Sequence, residues 1–404
     1  MAIRLANVLR GLARVGDLDV FLVPGQDRWE LPVIPPDVPV RRFHVVARPS
    51  GSFALPERLV WWLGGRLPSH FVGRDYREVQ ARFRAWTSER YDVVWFSTLR
   101  AYVPLKPVVD APAIVDFDDL EDRKLIERLT LLNAARDPQA PGGLAAWRDV
   151  LVGMQARKNA RLWRDLQRSA ARSVEAAVVC SDLDRQYLGA PNVYVVPNGY
   201  AFQPHPVGRE GVGLPPVIML PGMFRYPPNA DAACWLVGAI APIVRRRVPH
   251  VQVRLVGLAN ERVQNLHRPP EVIVTGFVPD IRAELARADV IAVPIRYGGG
   301  TRIKILEGFA HRIPVVSTSK GAEGIDAVSG RELLIEDTPD AFADACVRLL
   351  TEPQSRRVMV EAAHALFREK YLWDRIHGEI ARLAEAVARR APFSQRLWIG
   401  AGYA

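Results

Sequence analysis

The segment that decides the fold reads Ala288-Asp289-Val290-Ile291-Ala292-Val293-Pro294-Ile295-Arg296-Tyr297-Gly298-Gly299-Gly300-Thr301-Arg302-Ile303-Lys304-Ile305-Leu306-Glu307-Gly308-Phe309-Ala310 and closes on Ile313-Pro314-Val315-Val316-Ser317. Residues 289–294 are apolar on both faces, which predicts a buried strand. After three glycines, Ile303, Leu306, Ala310 and Ile313 fall at helical spacing and predict a helix lying on a sheet, with 314–317 as the next strand. Strand, glycine turn, helix and strand make one step of a parallel α/β sheet.

The same turn carries chemistry. Gly298, Gly299 and Gly300 let backbone approach a ligand without Cβ obstruction, and the first helical turn offers orphan N–H groups and a positive dipole end. Thr301 adds a hydroxyl, and Arg302 and Lys304 add positive charge, so a diphosphate is the natural guest. One turn deeper, Glu307 has two oxygens for a cis-diol such as a ribose. The pattern is neither the GxGxxG fingerprint nor the GxxxxGK[ST] loop. A capped strand-to-helix turn that serves packing alone has the same spacing, so on residues alone both readings stand.

Working outward, apolar β-branched runs recur at 19–23, 93–96, 113–115, 177–179 and 193–196, then at 217–220, 251–256 and 272–274. Helical stretches separate them, including 147–173. The reading is two doubly wound α/β domains meeting near residue 205, with the Pro/Gly-rich stretch 200–214 as linker. The length of 404 residues suits two domains. A composition of 49% hydrophobic and 24% charged residues is that of a soluble globular chain.

The net charge of +10 is spread evenly, +5 in each half, so it marks no nucleic-acid arm. A spread excess favours anionic substrates or an anionic lipid surface. Two readings stay open for the arginine-rich 147–173 helix, a solvated face and a membrane-surface face. Cys180, Cys234 and Cys346 show no metal-ligand spacing and are expected as buried thiols. No apolar stretch nears the ~20 residues of a bilayer span. The expected location is cytoplasmic, with peripheral contact at the inner membrane face as an addition.

The run from Arg296 to Ala310, with Ile313 to Thr318 and Gly321-Ala322-Glu323-Gly324, resembles the donor-site signature of family 4 glycosyltransferases (glycosyl transferases group 1). Val195-Val196-Pro197-Asn198-Gly199, Pro221-Gly222-Met223-Phe224-Arg225-Tyr226-Pro227-Pro228-Asn229 and Thr275-Gly276-Phe277-Val278-Pro279-Asp280 extend the resemblance over roughly residues 90–375. It implies the GT-B fold, two facing Rossmann-like doubly wound domains with a central cleft. Residues 1–203 would form the acceptor-side domain and 204–373 the donor-binding domain. Residues 374–404 would be a helix crossing back plus a tail.

The resemblance also implies roles. Gly222 would admit the donor phosphates, Val278 would present backbone to the base, Glu307 would hold the ribose, and Gly300, Thr301 and Lys304 would meet the diphosphate. Three departures stand out. Relatives often carry two Glu separated by seven residues, and the first position here is Gly299. Met223 and Asn229 occupy positions where many relatives have Arg and Lys, which leaves Arg225, Arg302 and Lys304 to supply cations. The chain opens directly at a helix-like stretch, so strand one and its Gly-rich loop are expected upstream of Met1 or lost from the site.

Five carboxylates crowd residues 116–122 after a predicted strand. By resemblance Asp118 faces the acceptor; a dipole-stabilised helix start accounts for the acids equally well. The expected activity is retaining transfer of a sugar from a nucleotide-diphosphate sugar to a polysaccharide, lipid-linked or small-molecule acceptor, with no metal or other cofactor required. A non-catalytic GT-B subunit that binds a partner transferase is the alternative. A nicotinamide oxidoreductase is disfavoured because no dinucleotide fingerprint follows any strand. Trp61 and Trp62, near Arg58 and Arg66, suit either a lipid-linked acceptor or core packing.

Overall fold

Each apolar run read from the sequence forms a strand in the computed structural model, which describes residues 2–23, 34–47, 49–87, 91–134, 144–205, 214–299, 303–389 and 396–402. The chain divides into two compact units, Met1–Pro197 with Asp374–Ala404, and Asn198–Trp373.

The first unit contains β1 (Asp17–Val23), β2 (Val40–Val45), β5 (Val93–Phe96), β6 (Ala113–Asp116), β7 (Ala176–Val179), β8 (Val193–Val195) and β15 (Arg396–Gly402), with β3 (Ser50–Gly51) and β4 (Arg74–Asp75) as a separate antiparallel pair. The seven strands run parallel in the order β2-β1-β15-β5-β6-β7-β8. β5, β6 and β7 are buried at every position, as parallel strands covered on both faces must be. The opening helix Ala2–Leu12 precedes β1.

Among the described residues no strand comes before that helix, as the sequence led one to expect, but the sheet has no gap. The slot between β1 and β5 is filled by β15, whose residues 397–400 register with 93–96 and whose full length registers with 17–23. The segment after 374, expected as helix and tail, is therefore the helix Trp373–Ala388 followed by a central strand.

The second unit has β9 (Val217–Pro221), β10 (Gln252–Val256), β11 (Val272–Gly276), β12 (Val290–Val293), β13 (Val315–Ser317) and β14 (Leu334–Ile335), all parallel, in the order β11-β10-β9-β12-β13-β14. Its core is built from both sheet faces and the covering helices, with Phe224, Phe309, Phe342 and Phe367 fully buried. Among the described residues no helix is long and apolar enough to cross a membrane.

Candidate functional site

In the second sheet the strand order reverses between β9 and β12, and open parallel sheets bind ligands beyond the carboxyl ends of strands at such a point. The loops leaving these two strands hold most of the residues singled out in the sequence. The helices Pro227–Trp235 and Ile303–Ala310 begin after those loops.

Gly222 follows β9. A Cβ placed there would stand 3.2 Å from Asn229 Nδ2 and 3.3 Å from Lys304 Nζ, so a side chain would press on the lysine amine. Lys304 lies in the first turn of the Ile303–Ala310 helix, and its Nζ donates to Asn229 Oδ1 at 2.8 Å. Asn229 is turned in place by its own Nδ2, which donates to the Met223 carbonyl at 3.0 Å. One ammonium is thereby held against bare glycine backbone, tied to both loops.

Gly298 closes the other side. Its φ of 100° is glycine territory, and a Cβ would lie 2.9 Å from Pro228 Cγ and 3.2 Å from Tyr226 Oη. Gly299 is half-buried beside it. Arg225 is exposed in the β9 loop. Arg296 is engaged by Asp231 at 2.6 and 2.9 Å and stacks over the Trp235 ring at 5.2 Å. Val278 follows the exposed Phe277 in the loop after β11 and packs partly against the core. Gly300, Thr301 and Arg302 lie outside the described residues.

Glu307 sits one turn below Lys304 and is only 9% exposed. Tyr200 donates its hydroxyl to Glu307 Oε1 at 3.0 Å. Sequence reasoning put Tyr200 at the start of a linker and gave it no role. The structure pins its backbone N–H to the Tyr371 carbonyl at 2.9 Å and its carbonyl to the Trp373 N–H at 3.3 Å. Its one sequence signal is its place directly after the Val195–Gly199 motif.

Burial pushes the Glu307 carboxyl up to about 7, against the opposing pull of the Tyr200 hydrogen bond and the Lys304 charge. Burial, then the Glu307 charge, raises the Tyr200 phenol. The His311 ring meets Tyr200 edge-on at 6.0 Å, burial lowers it to about 4, and its Nδ1 has no hydrogen-bond partner among the described residues. Near neutral pH the Glu307 carboxyl is therefore poised between donor and acceptor, beside a neutral imidazole.

Asp118 belongs to the first unit, two residues past β6. Its φ is +43°, a conformation Asp tolerates better than most residues, and its backbone N–H donates to Asp116 Oδ1 at 3.1 Å. Asp116 is gripped by the buried Arg4, with Nε to Oδ2 at 2.8 Å and Nη2 to Oδ1 at 3.0 Å. Arg4 Nε also lies 3.8 Å from Asp118 Oδ1, and Cys180 Sγ lies 3.7 Å from the same oxygen. Burial raises the Cys180 thiol, so this is an inert thiol beside an ion pair. Arg4 and Cys180 drew no functional reading from the sequence, because they lie 112 and 64 residues from Asp116 along the chain.

The cysteine and tryptophan expectations need adjustment. Cys180 and Cys346 are buried, but Cys234 is only half-buried. Trp61 is fully buried and donates its Nε1–H to the Leu67 carbonyl at 2.8 Å, so it is a core residue and offers nothing to an acceptor.

Residues 215–352 match the family model for Glycosyl transferases group 1. Sucrose-phosphate synthase from Thermosynechococcus elongatus has a similar structure, with a TM-score of 0.67 and 17% identity over 96% of this chain and 94% of that one. The HepE protein of Anabaena, solved with UDP and glucose, gives a TM-score of 0.59 and 14% identity over 92% of this chain and 100% of that one. An uncharacterised 44.6 kDa protein of the cps region of Klebsiella pneumoniae is 20% identical over 163 residues, 38% of this chain. That match spans 42% of the relative's length. The chain has the GT-B glycosyltransferase fold, with two Rossmann-like units, and carries a group 1 glycosyltransferase domain in the second. The resemblance drawn from the sequence holds at that level.

Proposed function

We propose, from a group 1 glycosyltransferase domain on a GT-B chain, that the protein transfers a sugar from a nucleotide-diphosphate sugar to a saccharide, lipid-linked or small-molecule acceptor. Retention at the anomeric carbon follows from the likeness to family 4. The observation that carries this reading is the Lys304 ammonium fixed at the Gly222 backbone where β9 and β12 diverge, with Glu307 one turn deeper. That HepE was solved with UDP and glucose supports a uridine nucleotide as the donor's leaving part.

In this reading residues 204–373 bind the donor. The diphosphate lies along Gly222, Gly298, Gly299, Gly300 and Thr301, with Lys304, Arg302 and Arg225 as its cations. The ribose hydroxyls displace the Tyr200 hydroxyl from Glu307, and the Val278 loop carries the base. As the glycosidic bond to the diphosphate breaks, negative charge grows on the leaving oxygen, and Lys304 and Arg302 stabilise it. Cations in this role are worth several kcal/mol to a transition state. Asp118, in residues 1–203, positions the acceptor hydroxyl. No metal is needed, because helix N-termini and cations balance the leaving group. The protein works in the cytoplasm.

Calorimetric titration with UDP and with GDP tests the reading. Lys304→Ala and Glu307→Ala are each expected to weaken the preferred nucleotide by at least about tenfold, roughly 1.4 kcal/mol. Unchanged affinity in both variants would sink the donor site.

A further inference from the structure

The helix Leu55–Gly64 is inverted. Trp61 points inward, 0% exposed, and packs edge-on against Phe53 at 5.7 Å. The opposite face turns Leu55 (69% exposed), Leu59 (57%), Val60 (68%) and Leu63 (90%) to solvent. Leu55, Leu59 and Leu63 repeat every four residues, so they form one stripe. Exposed apolar residues scattered singly need no explanation, but a contiguous stripe on one short helix does.

The stripe continues onto a neighbouring helix, Leu144–Ser173. Lys158 Nζ donates to the Trp62 carbonyl at 3.0 Å and also to that of Trp61, while Arg58 Nη2 reaches Gln155 Oε1 at 3.3 Å. Leu151 and Met154 lie one turn before Gln155 and Lys158 and are 58% and 47% exposed. Around this apolar surface basic side chains outnumber acids. Arg58, Arg66, Arg157 and Arg161 are all exposed, residues 150–165 contain four basic residues against one acid, Asp165, and Glu57 on the 55–64 helix is half-buried.

We propose that this face docks on an anionic lipid bilayer, with the 55–64 stripe lying in the interface and the flanking arginines on the headgroups. An apolar stripe rimmed by cations is the composition of an interfacial helix. A second copy of the chain fits less well. Pairing the face with itself across a two-fold would bring its arginines together. The proposal stands on the first unit alone and does not depend on the donor-site reading.

Co-sedimentation of the full chain with vesicles tests it. The native protein is expected to bind phosphatidylcholine vesicles containing roughly a third phosphatidylglycerol at least about tenfold more tightly than pure phosphatidylcholine, with binding falling as salt rises. Leu59→Glu with Leu63→Glu should reduce that binding by at least about tenfold while leaving the melting temperature and UDP affinity unchanged, since both side chains face solvent. Arg58→Gln with Arg66→Gln should weaken binding to the anionic vesicles alone. The proposal is overturned if the native chain ignores anionic vesicles, if the double Glu variant binds them as well as the native chain, or if that variant instead converts a dimer to a monomer.

Discussion

Replacing Glu307 by glutamine should change how stability depends on pH. Burial raises the Glu307 carboxyl from its ordinary 4.5 to about 7, so the fold favours its neutral form. At about 1.4 kcal/mol per pH unit this preference amounts to roughly 3 kcal/mol. The contribution is fully present below about pH 4.5 and is lost as pH rises through about 7, because the unfolded chain ionises first and the native state binds the extra proton between those values. In Glu307→Gln the side chain is neutral throughout and its amide carbonyl still accepts from Tyr200, so the variant lacks this loss. Between about pH 5 and pH 8.5 the variant should gain roughly 2–3 kcal/mol on the native chain. For a unit of this size that is roughly 5–10 °C in the melting transition of the second unit. Differential scanning fluorimetry of both proteins at the two pH values measures it. Equal gaps at both pH values, within about 2 °C, would refute the buried, neutral-favouring carboxyl. Tyr200→Phe provides a further check: it removes a hydrogen bond that favours the ionised form, so the loss of stability, which still begins near pH 4.5, should extend to higher pH and grow larger.

Two further outcomes concern the first unit. Arg4→Met leaves Asp116 buried without its bidentate partner and should cost about 3–5 kcal/mol in urea unfolding, whereas Arg4→Met with Asp116→Leu should recover most of that loss. Deleting residues 396–404 removes a strand that pairs on both edges. The β1 and β5 amides facing it should lose hydrogen-exchange protection, while β9 to β14 keep theirs.

Most strands of both sheets were legible because a parallel strand buried on both faces reads as an unbroken apolar run, whereas the two-residue β14 is too short to read as one. β2 escaped for the opposite reason. It lies at the sheet edge, alternates half-buried and exposed positions, and carries Arg41 and Arg42, so it reads as a polar loop. β15 escaped because seven residues interrupted by Gly400 and ending on Gly402 say nothing about which slot they fill. That information sits in the partners, β1 and β5, some 300 or more residues away. Trp61 and Trp62 were ambiguous because residues 59–63 are apolar throughout; the burial of Trp61 and its Nε1 bond to Leu67 decide which side faces in.

The candidate site divides in the same way. Gly298, Lys304 and Glu307 stand within ten residues, so one segment displays them. Their partners do not: Asn229 lies 75 residues from Lys304, and Tyr200 lies 107 from Glu307. These two partners change what the site is. Asn229 gives Lys304 an amide oxygen, which orients the ammonium without cancelling its charge, as a carboxylate would. Tyr200 supplies Glu307 with a hydroxyl donor like that of a ribose, so the buried carboxylate is satisfied before any nucleotide arrives. Nucleotide binding at Glu307 is then an exchange of hydroxyl partners. The net gain from that contact is the cis-diol's two hydrogen bonds less the one Tyr200 gives up, and that difference is what Glu307→Ala removes from nucleotide affinity.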